Sequence, residues 1–332
     1  MKKIMAQKKW TISLIVLLLL FLYVFFHFIT VTKQLEKTVA KLQHEQKETS
    51  HLPHVILISQ EFDNPYWRKI EQGAKEAGKN YDVNIEYIGP LRTSVDEQVK
   101  LLEKAIASRV DGIIVQNLKD EAFIPLIDKA ISRNIPVITI DADAPKSRRI
   151  AYVGTNNFEA GQLLGKAVVS RVEGERELGV MIGTDTSENQ RLRLQGFLSV
   201  IAEHPRLKVV SVASSNISRI QASIQAEQML RKHPHISVMV GTSALDAIGI
   251  RMATKNLHRQ DIQIFGFDDV EETIEAIQQG DIVATVVQKP YDMGYSAVKL
   301  MVEHLSGKQI QKEHFTAIEV IDRQNVQQER NK

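Results

Sequence analysis

From His54 onward, short runs of aliphatic and β-branched residues alternate with longer stretches whose apolar positions recur every three or four residues. The short runs HVILIS at 54–59, VNIEYI at 83–88, DGIIVQ at 111–116 and IPVITID at 135–141 read as buried strands. Helical patterns separate them near 65–80, 94–109 and 120–134. A second series follows, with strands at 178–183, 207–213, 236–241 and 262–268. Its helices fall near 156–172, 188–204, 218–233, 243–257 and 270–280. Alternation of this kind predicts parallel sheets covered by helices on both faces. The two series hold too many strands for one sheet and divide near residue 155, so the expected fold class is α/β with two Rossmann-like lobes joined by a hinge. The predicted lobes are 53–155 plus 289–317 and 156–288 plus 318–325, with a polar tail at 326–332.

The start of the chain has another pattern. Lys2, Lys3, Lys8 and Lys9 precede a stretch from Trp10 to Thr32 that contains no Asp, Glu, Lys or Arg. Roughly 20 helical residues at ~1.5 Å each cross a hydrocarbon core of ~30 Å. The stretch therefore predicts a transmembrane anchor at 10–32, with residues 1–9 cytoplasmic and the lobes extracytoplasmic by the positive-inside bias. A cleaved signal peptide is the rival reading. It would want a shorter apolar core and a small-x-small site, whereas this run ends in FFHFITVTK and the nearest passable site, at Ala40, lies well beyond it. Residues 33–52 are polar, with Leu35, Val39 and Leu42 on one helical seam. They predict a solvated helical stalk, or a short coiled coil continuous with the anchor.

Composition narrows the function classes. A net charge of +2 over 332 residues, a quarter of them charged, gives no basic surface for nucleic acid. The chain has no cysteine, which removes disulfides, thiolate metal sites and a lipidated N-terminal cysteine. The ten histidines are scattered, and no H-E-x-x-H, G-x-S-x-G or G-x-G-x-x-G occurs. GQLLGKA at 161–167 lacks the spacing and the hydroxyl of a phosphate-binding loop. No catalytic residue, metal or cofactor is expected.

In open α/β sheets, ligands sit outside the carboxyl ends of the strands. Asn64, Tyr66 and Trp67 follow the first strand, Asp141 ends the fourth, Arg193 follows the strand at 178–183, Asp268 ends the strand at 262–268, and Gln288 precedes Pro290. Each has a structural alternative: Asn64 before Pro65 is a good helix cap, the aspartates could cap turns, and the aromatics could pack on a lobe. Together they supply aromatic faces for sugar C–H groups, carboxylates that accept from hydroxyls, and Arg and amide donors for sugar oxygens. Drawn from both lobes, the set predicts a monosaccharide site that closes about a hinge. A sugar hydrolase, using Asp141 and Asp268 as its carboxylate pair, is the enzyme alternative.

These elements, in the order DNPYWRKIEQGAKEAG, VDGIIVQ, IPVITIDADA, YVGTNNFEAGQLLG, RLRLQGF, IFGFDD and GDIVATVVQKPYDMG, resemble the type I periplasmic sugar-binding proteins of the ribose/galactose branch from about residue 54 to 320. The resemblance implies ligand roles for Asn64, Tyr66, Trp67, Asp141, Arg193, Asp268 and Gln288, with Gln60, Ile217, Ser243 and Phe267 as further lining. It also shows departures: Ala142 stands where ribose-type members carry arginine, and Ser243 and Ala244 stand where the family often reads Asn-Asp. These argue against ribose itself and point to another pentose, a deoxy or modified sugar, or a larger ligand, within an expected ligand class of pentoses and hexoses. The lobes also occur in lactose-repressor-like transcription factors, but those begin with a DNA-reading helix-turn-helix where this chain has its apolar run. The implied membrane partner is an ABC permease, with a sensor histidine kinase as the alternative.

Overall fold

A computed structural model of the chain describes residues 20–37 and 52–327. Residues 20–37 form helix α1, nearly all of it exposed. Of the predicted anchor, residues 10–19 lie outside the described residues, as do 1–9, most of the stalk and the end of the polar tail. Among the described residues no helix is long and apolar enough to cross a membrane. The chain up to Leu52 and the chain from Pro53 onward are separate units.

The first sheet is built from β1 (His54–Ile58), β2 (Asn84–Ile88), β3 (Gly112–Val115), β4 (Val137–Ile140) and β5 (Ala151–Gly154). Helices α2 (Pro65–Asn80), α3 (Val95–Ala107) and α4 (Asp120–Ser132) connect its first four strands. Local signals start these helices. Asn64 caps α2 with Pro65 in the first turn, and Ser94 caps α3 through the Glu97 N–H in an S-x-x-E box.

The second sheet takes β6 (Arg176–Ile182), β7 (Leu207–Ser214), β8 (Ile236–Gly241), β9 (Gln263–Phe267) and β10 (Ala284–Val287). Its helices are α5 (Asn157–Arg171), α6 (Glu188–Ala202), α7 (Arg219–Lys232), α8 (Asp246–Asn256) and α9 (Glu271–Gln279). After α10 (Pro290–Leu305), the short strand β11 (Glu313–Phe315) joins the first sheet and β12 (Glu319–Asp322) joins the second.

The two sheets share one topology. Their orders are β2-β1-β3-β4-β5-β11 and β7-β6-β8-β9-β10-β12, with position-by-position correspondence. The chain passes between them after β5, after β10 and between β11 and β12. Each sheet carries one apolar cluster on each face. One cluster joins Trp67, Ile70 and Met293 of α2 and α10 to β1 and β4, and the opposite face packs Leu102, Ile106 and Phe123. The second sheet repeats this with Leu164 and Phe197 on one face and Met229, Ile250 and Ile277 on the other.

Two features depart from the sequence pattern. Strands β5, β10, β11 and β12, each of three or four residues, and helix α10 are additional to the elements the periodicity marks. The second sheet is also not wholly parallel, unlike the first: β12 runs antiparallel to β10, since only a three-residue connection separates it from β11 in the other sheet.

Candidate functional site

The same backbone device ends β4 and β9. Asp141 and Asp268 adopt left-handed conformations, with φ of 64° and 65°. Glycine takes this conformation freely and Asp or Asn only occasionally, so it persists where the surroundings over-determine it. Here they do. The Asp141 N–H donates to the Val153 carbonyl at 3.0 Å and its carbonyl accepts from the Tyr152 hydroxyl at 2.8 Å. The Asp268 N–H donates to the Val286 carbonyl at 2.7 Å and its carbonyl accepts from the Thr285 hydroxyl at 2.8 Å. In each lobe the turn carries the carboxylate out of the strand and into one cleft.

The cleft has a volume of about 820 Å³ and is walled by both lobes. Asn64, Tyr66 and Trp67 reach it from the start of α2, Asp141 from β4, Arg193 from α6, Asp268 from β9 and Gln288 from the end of β10. All seven expected site residues therefore lie on one wall-to-wall surface. Gln60, Ile217 and Ser243 line it too. Phe267 does not. As the last residue of β9 it points into the core, fully buried, and the Arg193 guanidinium lies 3.8 Å above its ring. It is a platform for the arginine, not a lining residue.

Hydrogen bonds fix these groups before any ligand arrives. The Tyr66 hydroxyl donates to Asp141 Oδ1 at 2.7 Å, and the Gln116 amide donates to Asp141 Oδ2 at 2.5 Å. Arg193 donates through Nε to Asn157 Oδ1 at 2.9 Å and through Nη1 to the Thr242 carbonyl at 2.8 Å. Its Nη2 reaches Gln288 Oε1 at 3.3 Å, where the Thr155 hydroxyl also donates at 2.7 Å. Gln288 Nε2 donates to Asp268 Oδ1 at 2.8 Å. Thr155 and Gln288 sit at two of the three crossings between sheets, so the site is bonded directly to the hinge. Asn64 is partly committed elsewhere, since its Oδ1 caps α2 through the Tyr66 N–H at 3.0 Å. Trp67, only 2% exposed, is chiefly a core residue, meeting Tyr66 edge-on.

Burial sets the electrostatics. It pushes the Asp268 carboxyl up to about 6, against the pull of Arg193 and the Gln288 amide. It raises Asp141 as well, against the Tyr66 hydrogen bond and Arg193. Burial and the Asp141 charge hold the Tyr66 phenol well above its ordinary value, so it stays a neutral donor. One guanidinium between two carboxylates leaves no surplus positive charge for an anion. The free lone pairs of Asp141 and Asp268 suit a neutral ligand rich in hydroxyl donors.

Charged residues near these in sequence have other partners. Asp143 is bound by Arg149 and by the Thr139 hydroxyl, and Arg191 pairs with Glu188 on the exposed side of α6. Asp269 instead meets Lys69 of the opposite lobe at 2.6 Å. Ala142, which follows Asp141, is buried. Sequence reasoning missed Gln116, Asn189 and Gln190, which also line the cleft, and Thr155 and Asn157 behind it. Gln116 directly follows β3, so the strand-end rule applied to Asp141 would have found it. Among the described residues no group of three or more His, Asp or Glu is arranged to hold a metal ion.

Comparison with known proteins gives a consistent picture. The model of the periplasmic binding protein domain matches residues 55–309. The structure of GanP, a glucose-galactose binding protein from Geobacillus stearothermophilus, is 43% identical, with a TM-score of 0.81, covering 83% of this chain and 99% of that one. A chain of the XylFII-LytSN complex is 35% identical with a TM-score of 0.77, covering 82% and 98%. The D-apiose import binding protein of Actinobacillus succinogenes is 24% identical over 246 residues, 74% of this chain and 79% of that protein.

Proposed function

The chain belongs to the type I periplasmic sugar-binding protein family, whose members are binding proteins and not enzymes, and from that premise we propose that it captures a monosaccharide by lobe closure and presents it to a membrane partner outside the cytoplasm. One observation carries the reading: a buried carboxylate from each lobe, Asp141 and Asp268, faces the same cleft with Arg193 and Gln288 between them. Closure lets both lobes bond to one ligand, and each ligand hydroxyl left unpaired in the closed state costs about 1–3 kcal/mol. That demand explains why polar side chains crowd the cleft. The similarity to GanP makes aldohexoses the first ligands to test, with pentoses beside them.

The apolar run from Trp10 to Thr32 supports a single-pass tether, N-terminus cytoplasmic, in a chain without a cysteine to lipidate. The partner is most simply an ABC permease, as the import binding proteins among its relatives suggest. A sensing role beside a histidine kinase is the second reading, favoured by the likeness to a chain of the XylFII-LytSN complex and by a tether that fixes orientation next to another membrane protein.

Thermal denaturation of the 53–332 fragment against hexoses, pentoses and polyols tests the binding function. At least one sugar should raise Tm saturably. Asp141→Asn and Asp268→Asn should each weaken that sugar about 10–100-fold, the range of hydrogen bonds to charged groups. Trp67→Ala is a poor probe, because emptying its core site costs about 3–5 kcal/mol by itself. No response to any sugar, or turnover of one, would overturn the proposal.

A further inference from the structure

Both cleft carboxylates are held by a glutamine from the neighbouring strand. Gln288 follows β10 and donates to Asp268, which follows β9, at 2.8 Å. Gln116 follows β3 and donates to Asp141, which follows β4, at 2.5 Å. The two differ at the other end of the amide. Gln288 Oε1 accepts from Thr155 and Arg193, whereas Gln116 Oε1 is buried with no partner among the described residues. Gln116 is 3% exposed and lines the cleft. A sealed amide oxygen without a donor works against the stability of the empty protein. Leucine, of similar size, would bury there without that cost. An amide kept at such a place serves the carboxylate it touches.

We propose that Gln116 is the positioning residue of the first lobe's carboxylate: its amide N–H fixes one oxygen of Asp141, as Tyr66 fixes the other, so that the remaining lone pairs face the ligand in ionised form. The inference rests on Asp141 being a ligand contact in the sugar-binding cleft. The charged and titratable groups around Asp141 are Tyr66 from α2, Tyr152 from β5, Arg193 from α6 and Asp268 from the second lobe. None of them changes when Gln116 is replaced. Removing the amide withdraws one of the donors that favour the charged carboxylate.

The full chain, with Gln116→Leu, Gln116→Glu and Asp141→Asn beside the wild type, gives the test. Titration calorimetry with D-glucose, D-galactose and D-xylose across pH 5–8 reads affinity, and carbon NMR of the aspartate carboxyls without ligand reads the protonation of Asp141. Gln116→Leu should keep or raise Tm yet weaken the bound sugar at least tenfold, with its pH profile moved upward. The NMR should show at least a tenfold rise in the proton affinity of Asp141. Gln116→Glu sets a second carboxylate against Asp141 and should bind only toward acid pH. A Gln116→Leu protein with wild-type affinity, pH profile and Asp141 titration overturns the inference, as does loss of affinity in step with Tm while Asp141 titrates unchanged. If the wild type binds none of the three sugars, the choice of sugar is what fails, and the carboxyl titration still decides the role of Gln116.

Discussion

Burial pushes the carboxyl of Asp268 up to about 6 from an ordinary 3.8, with Arg193 and the Gln288 amide pulling it partway back. The folded protein thus holds this proton more tightly than the unfolded chain does. Its contribution to stability is full below about 3.8 and is lost as pH rises through about 6. At ~1.4 kcal/mol per pH unit the loss amounts to about 3 kcal/mol. Ligand binding has the opposite slope, because the ionised carboxylate accepts hydroxyl protons. Scanning calorimetry between pH 4 and 7 should show the empty protein losing stability with a component that Asp268→Asn removes. The sugar-induced rise in Tm should grow over the same window. At this scale Asp141 and Asp268 were legible because they close apolar strands, where ligands gather. Their left-handed backbone was not, since it depends on hydroxyls of Tyr152 and Thr285 far along the chain. The hold of Asn157 on Arg193 was illegible for the same reason: it joins the start of α5 to the second turn of α6, 36 residues along the chain.

At the scale of elements, each lobe locks one helix pair through reciprocal glycines. In the first, a Cβ at Gly73 of α2 would stand 2.0 Å from the Tyr291 carbonyl oxygen, and one at Gly294 of α10 the same distance from that of Ile70. In the second, Gly161 of α5 faces the Arg193 carbonyl oxygen and Gly196 of α6 that of Phe158, again at 2.0 Å. Alanine gains about 1 kcal/mol over glycine in a helix interior, but a contact this close forces the backbones apart, and overpacking costs about 1–3 kcal/mol or more. The clash wins. Gly161→Ala should lower denaturant stability by up to about 2 kcal/mol, and it should also weaken sugar binding, because α5 and α6 carry Asn157 and Arg193. Gly73→Ala should cost similar stability while leaving the Arg193 contacts in place. Eight strands and most helices were legible from period alone, since aliphatic and β-branched runs stand out between stretches of helical period. The four-residue strands β5 and β10 and the antiparallel β12 were not, because their place depends on which sheet the returning chain meets.

For the whole molecule, the proposed closure has one candidate latch besides the ligand, the ion pair of Lys69 and Asp269 across the mouth of the cleft. Lys69 lies on α2 of the first lobe and Asp269 follows β9 of the second, with 2.6 Å between Nζ and the carboxylate. The side chains are 47% and 20% exposed. An ion pair this open contributes about 0.2–1 kcal/mol and is screened by salt, far below a buried ligand contact. It acts as a latch at the mouth, biasing the open–closed balance by a few-fold at most. Lys69→Ala and Asp269→Ala should each weaken sugar affinity by about 2–5-fold, through a faster off-rate, and the double variant no more than either alone. In 1 M salt, where the Debye length is ~3 Å, wild type and variants should converge. The like charge of Asp269 also helps to keep Asp268 protonated, so Asp269→Ala should move the acid limb of binding downward, a shift that Lys69→Ala cannot produce. Stopped-flow release of a bound sugar at low and high salt, with affinity followed across pH 4–7, measures both effects. Equal off-rates in the wild type and Lys69→Ala at low salt would show that the pair is only a surface contact, leaving closure to the ligand and to the hinge bond between Thr155 and Gln288.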